Sequence, residues 1–286
     1  MKSKKVLAIL AVTTGLAFFV TSCKNADSIA TDAALTTTAT DEAQASSLSD
    51  AVVNTADSYV NALGGSAFNG LMATKGYVDA TGLTITINKY DTITFPKIIT
   101  IDFGSAGFID GRGDTIKGKI IVTLDKMPWK AGSTKTIKLV DFYVNSNNIK
   151  GIKTVTYNGL NLAKNPSVTV VVSDTIVRID KSTIIRNSNR TRERISDGGT
   201  PKWYWDDEFS ITGSASGVNA KGIAYTMQID ATKPLIIWNN YPYFVQGAIS
   251  ISSETRTALI DYGDGTKDNK ATITINGVTK NIFLKN

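Results

Sequence analysis

From about residue 83 to residue 284, the chain is a succession of short segments rich in Thr, Val, Ile and aromatic residues. Such segments favour β-strands, and turn-forming residues separate them at short intervals. No stretch between them has the length and periodicity of the helices that join parallel strands. We therefore predict a mainly β fold with antiparallel strands, arranged as a meander in a sandwich, a barrel or one long curved sheet. The segments are residues 84–87, 92–103, 119–124, 134–144, 149–157, 167–185, 203–211, 222–229, 244–252, 256–262 and 271–284.

Two Asn-Gly pairs, Asn158-Gly159 and Asn276-Gly277, each stand between strand-like segments. Both residue types tolerate the positive φ angles of a two-residue turn, so each pair predicts a β-hairpin. A weak internal repeat is also present. Residues 101–104 and 260–263 share the pattern Ile, Asp, aromatic residue, Gly, and a further β segment follows each. Two related halves would explain this repeat, and so would convergent hairpin chemistry.

Residues 47–65 carry a helical pattern ahead of a β domain that we place at residues 66–286. Ser47 or Ser49 can cap the start of this helix, and Gly64-Gly65 can end it. An amphipathic helix here packs on the following domain or binds a partner. Its apolar stripe consists of Leu48, Val52, Thr55, Ala56, Tyr59, Val60 and Leu63.

The first 22 residues have the layout of a secretory signal peptide. Lys2, Lys4 and Lys5 precede an uncharged apolar run over residues 6–20, and two small polar residues follow the run. A membrane-spanning helix needs about 20 apolar residues, so the run is too short to span.

Val20-Thr21-Ser22-Cys23 resembles a bacterial lipobox, in which a branched apolar residue and two small residues precede a cysteine. The resemblance implies that Cys23 is acylated and becomes the first residue of the mature chain. The alternative is an ordinary signal peptide followed by a chance cysteine. Cys23 is the only cysteine in the chain, and it stands where lipidation requires one. The expected partner is therefore a lipid bilayer, which several acyl chains bind stably.

Residues 23–46 are rich in Ala, Thr, Ser and Asp and carry almost no large apolar side chain. A segment of this composition buries too little apolar surface to offset the entropy of ordering, so we predict an acylated flexible stalk. Lys24 replaces the Asp that retains lipoproteins at the inner membrane in the well-studied sorting rule. We therefore expect the outer membrane, on either its periplasmic side or the cell surface.

The chain contains no histidine, which excludes Ser-His-Asp triads and His-ligated metals. With Cys23 acylated, no thiol chemistry is left, so we expect no enzymatic activity and no cofactor. The formal charge is +6, and three of the lysines lie in the signal peptide. This charge is a weak argument for nucleic acid, and we expect no nucleic-acid partner.

Arg190, Arg192 and Arg194 fall on one face if residues 184–195 are extended, because side chains alternate along a strand. A hairpin with Ile195 opposite Trp203 would place Arg192 against Asp206 and Arg190 against Glu208. Such pairs would form a solvent-exposed ladder of charges. The alternative is a platform on which the arginines bind anionic groups, including those of glycans.

The cluster over residues 203–208 combines aromatic and acidic side chains, as glycan-binding and glycan-processing sites do. Trp203 and Trp205 would share one strand face, whereas Asp206 and Glu208 would point to the other. This separation weakens a joint catalytic site of two carboxylates. The indoles therefore either belong to the core or bind a glycan.

Two Gly/Asp-rich loops, residues 110–114 and 261–268, offer oxygen atoms to Ca²⁺ but lack the spacing of the twelve-residue calcium loop. Asp and Gly in such loops also serve as turn residues. Arg112 and Lys267 would oppose a cation, so we predict turns and no metal site.

An ordered series of short pieces runs from residue 99 to residue 284: residues 101–104, 117–120, 190–193, 211–217, 243–245, 260–265 and 268–272. The series resembles an uncharacterised family of outer-membrane lipoproteins of Bacteroidetes bacteria. The resemblance implies no activity. We therefore expect a membrane-anchored lipoprotein with a structural or interaction role and an envelope-protein or glycan partner. The alternative is a glycan-binding, or less favourably a glycan-hydrolysing, surface lipoprotein that uses the region 203–208.

Overall fold

The computed structural model describes residues 24–67, 77–78, 82–89, 91, 93–110, 113–128, 130–199, 206–241, 243–254 and 256–284. These residues form one long helix, α1 (Lys24–Ala67), and sixteen β-strands. The strands are β1 (Tyr77–Val78), β2 (Thr84–Ile87), β3 (Lys97–Asp102), β4 (Phe108–Ile109), β5 (Thr115–Leu124), β6 (Thr134–Val144), β7 (Asn147–Leu160), β8 (Pro166–Val177), β9 (Thr183–Ser196), β10 (Glu208–Val218), β11 (Ala224–Ile229), β12 (Leu235–Trp238), β13 (Gln246–Ser253), β14 (Arg256–Asp264), β15 (Lys270–Ile275) and β16 (Val278–Phe283).

All sixteen strands belong to one antiparallel sheet, which confirms the predicted mainly β fold with one preceding helix. Neighbouring strands follow the chain order from β1 to β16, with two exceptions. Among the described residues, β4 pairs with β5 alone, and β12 pairs with β10 and β13. Of the three predicted arrangements, the structure therefore has the long curved sheet.

The sheet curves around α1, which contacts β3, β6, β8, β9, β13 and β14. Side chains on every side of the middle of the helix are buried, from Ala45 to Ala56. Two hydrophobic clusters form the core. The first joins Leu48, Val52 and Val60 to the strands from β2 to β9, and the second joins the earlier part of α1 to the strands from β10 to β16. One helix therefore contributes to both clusters.

The expectation of a flexible stalk over residues 23–46 is wrong, because α1 begins at Lys24. Leu35 and Ala39 are buried in the second cluster, and Asp41 and Glu42 are buried as well. The scarcity of large side chains suggested disorder. In the fold, small side chains let the sheet approach the helix closely, and strand side chains pair with its acids.

The predicted apolar stripe of the helix is buried at Leu48, Val52, Thr55, Ala56 and Val60. The predicted ends are wrong, however. The helix continues through the expected caps at Ser47 and Ser49, and it extends past Gly64-Gly65 to Ala67. Ser49 instead hydrogen-bonds to the sheet, as described below. A polar side chain with a tertiary partner does not have to act as a cap.

The two predicted hairpin turns have different outcomes. Asn276 and Gly277 connect β15 to β16 with φ angles of 53° and 77°, which confirms the hairpin predicted at this pair. Asn158 and Gly159 lie inside β7, so the hairpin predicted at that pair is wrong. There the pair forms a bulge, and β7 continues to pair with β8 as far as Leu160 opposite Pro166.

The repeated pattern of Asp, aromatic residue and Gly has the same local structure in both places. The carboxylate of Asp102 accepts a hydrogen bond from the amide of Gly104 at 3.0 Å, and that of Asp261 accepts one from Gly263 at 2.9 Å. The aromatic residue between them, Phe103 or Tyr262, is buried. In the two loops predicted to be turns, Asp110 accepts a hydrogen bond from the amide of Asp114 at 2.9 Å, and Asp264 accepts one from the amide of Thr266 at 3.1 Å, so the described residues of these loops form turns.

Candidate functional site

A line of polar side chains along β9 faces a line of polar side chains along α1, and we call this contact the helix–β9 seam. Two residues of a strand advance by about 6.6 Å. Four residues of a helix advance by about 6.0 Å. The two lines therefore stay nearly in register over three steps. The seam consists of Arg186, Ser188, Arg190 and Arg192 on β9 and of Glu42, Ser46, Asp50 and Asn54 on α1.

At one end of the seam, Arg186 forms an ion pair with Glu42. The guanidinium Nε lies 3.0 and 3.1 Å from the two carboxylate oxygens, and both side chains are fully buried. The hydroxyl of Tyr225 on β11 donates to the same carboxylate at 2.6 Å. Burial alone would lower the pKa of Arg186, but Glu42 and Asp50 more than offset it and raise that pKa.

In the middle of the seam, Arg190 donates to Asp50 at 2.7 Å and to the hydroxyl of Ser46 at 2.9 Å. Arg190 is 2% exposed. Burial lowers its pKa, and Asp50 acts in the opposite direction. The second carboxylate oxygen of Asp50 is buried and has no hydrogen-bond partner among the described residues. The middle of the seam is thus almost fully paired.

At the other end of the seam, Arg192 donates to the amide oxygen of Asn54 at 2.8 Å. Its guanidinium lies 4.5 Å from the centre of the Phe209 ring, which is a cation–π contact. Among the described residues, no carboxylate forms a salt bridge with Arg192, and its buried Nε has no hydrogen-bond partner. Arg192 is therefore the cation of the seam whose charge is least compensated.

Further ion pairs attach α1 to other strands. Lys153 on β7 contacts Asp174 on β8 at 2.6 Å, both fully buried, and Ser49 of the helix donates to the same carboxylate at 2.6 Å. Arg178 pairs with Asp41, and Lys135 on β6 pairs with Asp57. The helix is thus held by charges as well as by apolar packing.

One face of β9 carries Arg190, Arg192 and Arg194, as strand alternation predicts, but most of this face is buried. Arg190 and Arg192 are buried, so the predicted solvent-exposed ladder is wrong for them. Arg194 is partly exposed, and its Nη1 lies 3.6 Å from Asp207. The strand alternation was sound, but the face it defines points towards α1. The alternation of β9 by itself does not show which element covers this face.

The predicted pairing of the arginines across the hairpin is also wrong. In the sheet, Arg190 lies opposite Gly213 and Arg192 lies opposite Ile211. Glu208 lies opposite Ser196. The connection between β9 and β10 is longer than a turn over residues 196–201, and this shifts the register. Trp203 and Trp205, the other predicted binding residues, lie outside the described residues, as does Cys23.

Two cavities flank the helix near the seam, and Asn54 lines both. The first lies between α1 and the region of β12, β14 and β16, and Tyr241, Phe244 and Tyr262 contribute to its walls. The second, which we call the Arg192 pocket, lies between α1 and the strands from β7 to β10. It is lined by Val53, Asn54, Asp57, Ser58, Val155, Tyr157, Pro166, Val168, Val170, Arg192, Arg194, Asp207, Phe209 and Asn239.

Asp207 is the most unusual group of the Arg192 pocket. Its side chain is fully buried, and neither carboxylate oxygen has a hydrogen-bond partner among the described residues. The contact with Arg194, at 3.6 Å, is too long for a hydrogen bond. Burial raises the pKa of Asp207 to about 6, although the positive charge of Arg194 opposes this shift.

A spacing signal for the seam exists in the sequence, although the sequence analysis missed it. Polar residues recur every fourth position from Glu42 to Asn54, and polar residues recur every second position from Arg186 to Arg192. The first is the period of one helix face and the second that of one strand face. Read together, the two lines predict a helix–strand contact. The low hydrophobicity of the helix hid its burial.

In the part of the chain that the structure describes, no helix has the length and apolar character needed to cross a membrane. The same residues contain no group of three or more Asp, Glu, Cys or His side chains arranged to hold a metal ion. Comparison with protein-family models, with curated proteins and with solved structures found no match to this chain.

Proposed function

We propose that this chain is a lipid-anchored protein of the outer membrane with a non-enzymatic structural or interaction role. The observation that carries the proposal is the series Val20-Thr21-Ser22-Cys23 after a basic and apolar leader. The only cysteine of the chain stands at the position that acylation requires. Several acyl chains on one residue would give a stable attachment to the bilayer.

The segment that would join the anchor to the β body is a helix and not the flexible stalk that we expected. Helix α1 begins at Lys24, one residue after Cys23, and by Leu35 it is part of the second hydrophobic cluster. Eleven helical residues span about 17 Å, at about 1.5 Å per residue. The β body would therefore lie close to the membrane on a helix that is also part of its core.

The non-enzymatic role is supported by the chemistry of the buried charged groups. Most are paired: Arg186 with Glu42, Arg190 with Asp50, and Lys153 with Asp174. Groups paired in this way orient α1 in the sheet, and buried charge pairs are best attested in such a registering role. Glycan binding through Trp203 and Trp205 stays a prediction for residues that lie outside the described ranges.

Metabolic labelling with an alkyne fatty acid tests the anchor. Cells expressing the full chain should yield labelled protein in the outer-membrane fraction, and Cys23→Ser should abolish both the label and the membrane association. Thr21→Ser, which keeps a small residue before the cysteine, is the matched control and should remain labelled. Labelling that persists in Cys23→Ser would disprove the proposal.

Protease treatment of intact cells then distinguishes the two sides of the membrane. With an epitope tag after Asn286, loss of the tag places the body at the cell surface, and protection places it in the periplasm.

A further inference from the structure

Among the described residues, the Arg192 pocket combines a largely apolar wall with a buried donor and a buried carboxylate that have no hydrogen-bond partner. The donor is the Nε–H of Arg192, a residue that is 6% exposed. The acceptor is the fully buried carboxylate of Asp207. Buried polar groups in folded proteins nearly always have hydrogen-bond partners, because leaving one without a partner is costly. Two opposite orphan groups in one cavity therefore point to a ligand that supplies both partners.

The rest of the cavity suits a small organic molecule. Val155 and Val170 are buried, and Val168, Pro166 and Phe209 complete an apolar wall beside the polar groups. The cavity has a volume of about 110 Å³, which suits a small molecule. Ligand sites combine apolar walls with a few placed polar groups, as this cavity does.

The charges around the pocket exclude simpler ligands. An inorganic anion would satisfy Arg192 but would be repelled by Asp207, and it would leave this carboxylate without a hydrogen-bond donor, because the ion pair with Arg194 is 3.6 Å long. An alkylamine would satisfy Asp207 but would leave Arg192 without an acceptor. Asp57 is already paired with Lys135, so it does not compete for a ligand cation. The ligand must carry an anionic acceptor, a cationic donor and an apolar part.

We propose that the Arg192 pocket binds a free α-amino acid with an apolar side chain. The carboxylate of the ligand accepts the hydrogen bond from Nε of Arg192, and its ammonium group donates to Asp207. The apolar side chain packs against Val155, Val168 and Phe209. Asn54 stabilises the arrangement, because its amide oxygen already orients the guanidinium of Arg192. This inference is independent of the lipid anchor.

Isothermal titration of the full chain with L-leucine and three analogues tests the proposal. Leucinamide lacks the carboxylate, N-acetyl-leucine lacks the ammonium group, and 4-methylpentanoate lacks the amine altogether. We expect leucine to bind at least about tenfold more tightly than each analogue, because each analogue leaves one buried group without its partner. No saturable binding of leucine at millimolar concentration would overturn the proposal, and so would equal binding of any analogue.

Two variants and a control assign the binding to this cavity. Arg192→Gln and Asp207→Asn should each weaken leucine binding at least about tenfold. Asp207→Asn keeps the shape of the side chain and removes a buried charge, so it remains informative if Arg192→Gln does not fold. Lys119→Gln, at an exposed ion pair with Asp102, should leave binding unchanged. Unchanged binding in Asp207→Asn, with the fold confirmed by circular dichroism, would contradict the proposal.

Discussion

At the scale of single residues, the charged groups of α1 and β9 depend strongly on one another. Glu42 accepts from Arg186 and Tyr225 in a site from which water is excluded, so removing the carboxylate leaves a buried guanidinium without its counter-charge. An uncompensated buried charge costs several times more than an exposed one. Removing one partner of a buried pair is therefore costly, although the intact pair adds little to the net stability of the protein.

Glu42→Gln should lower the free energy of unfolding by about 3–5 kcal/mol, because Arg186 would stay buried without a carboxylate. Denaturant unfolding monitored by circular dichroism measures this loss. Lys119→Gln breaks an exposed pair with Asp102 and should cost less than about 1 kcal/mol. Equal losses in the two variants would mean that the Glu42–Arg186 pair is accessible to water.

The raised pKa of Asp207, about 6, predicts how its contribution varies with pH. The folded state binds a proton here at a higher pH than the unfolded state does, so stability falls as the pH rises through 6. Arg194 opposes the shift, and Asp206 and Asp197 reinforce it. Relative to Asp207→Asn, the wild type should gain roughly 1 kcal/mol of stability between about pH 7 and pH 5. Urea unfolding at both pH values measures the difference, and an unchanged difference would show that Asp207 ionises normally.

At the scale of elements, α1 is the part of the chain whose structure departs most from expectation. Residues 35–46 were expected to be flexible, yet they are helical, and at least half of their side chains are buried. The second cluster, which includes β14, packs against Leu35 and Ala39 of this part. Residues 35–46 are consequently as much a core element as residues 47–60.

Hydrogen exchange should distinguish a core helix from a stalk. Amide protons of residues 35–46 should exchange slowly, at rates comparable to those of β8, because they are hydrogen-bonded inside a buried helix. Mass spectrometry of peptides from the full chain measures these rates. Complete exchange of the 35–46 peptides within seconds would mean that the helix is not formed there in solution.

A proline in the first half of the helix gives an independent check. Ala45 is fully buried, and Ala45→Pro should destabilise the whole body by about 3 kcal/mol or more, since it breaks the helix where the sheet encloses it. Ala45→Gly, the matched control, should cost about 1 kcal/mol. Thermal unfolding compares the two, and a Pro variant as stable as the Gly variant would contradict a helical core.

At the scale of the whole molecule, one sheet and one helix join the two hydrophobic clusters. Strands β9 and β10 pair with each other where the two clusters meet, and α1 contributes to both clusters. The two clusters therefore share one framework. Neither cluster has a helix of its own within the described residues.

We accordingly expect the body to unfold in a single cooperative transition. Far-ultraviolet circular dichroism and tryptophan fluorescence should report coincident transitions in urea, because loss of α1 would expose both clusters together. Two separate transitions would indicate that the clusters fold as independent units.

The sequence by itself determined the class of secondary structure and much of its placement. Segments rich in Thr, Val and Ile became strands because side-chain shape and alternation act locally, and the Asn276-Gly277 turn formed where its backbone preferences required. Bounds were correct for residues 84–87 and 134–144. The shared face of Arg190, Arg192 and Arg194 follows from the same alternation.

Only the tertiary structure decided what that face contacts. The burial of Arg190 and Arg192 depends on Asp50 and Asn54, which lie about 140 residues earlier in the chain. The helical state of residues 35–46 likewise depends on strands that enclose it, because its composition alone offers little apolar surface. Local preferences cannot specify such contacts, since the energy that favours them exists only after distant segments have come together.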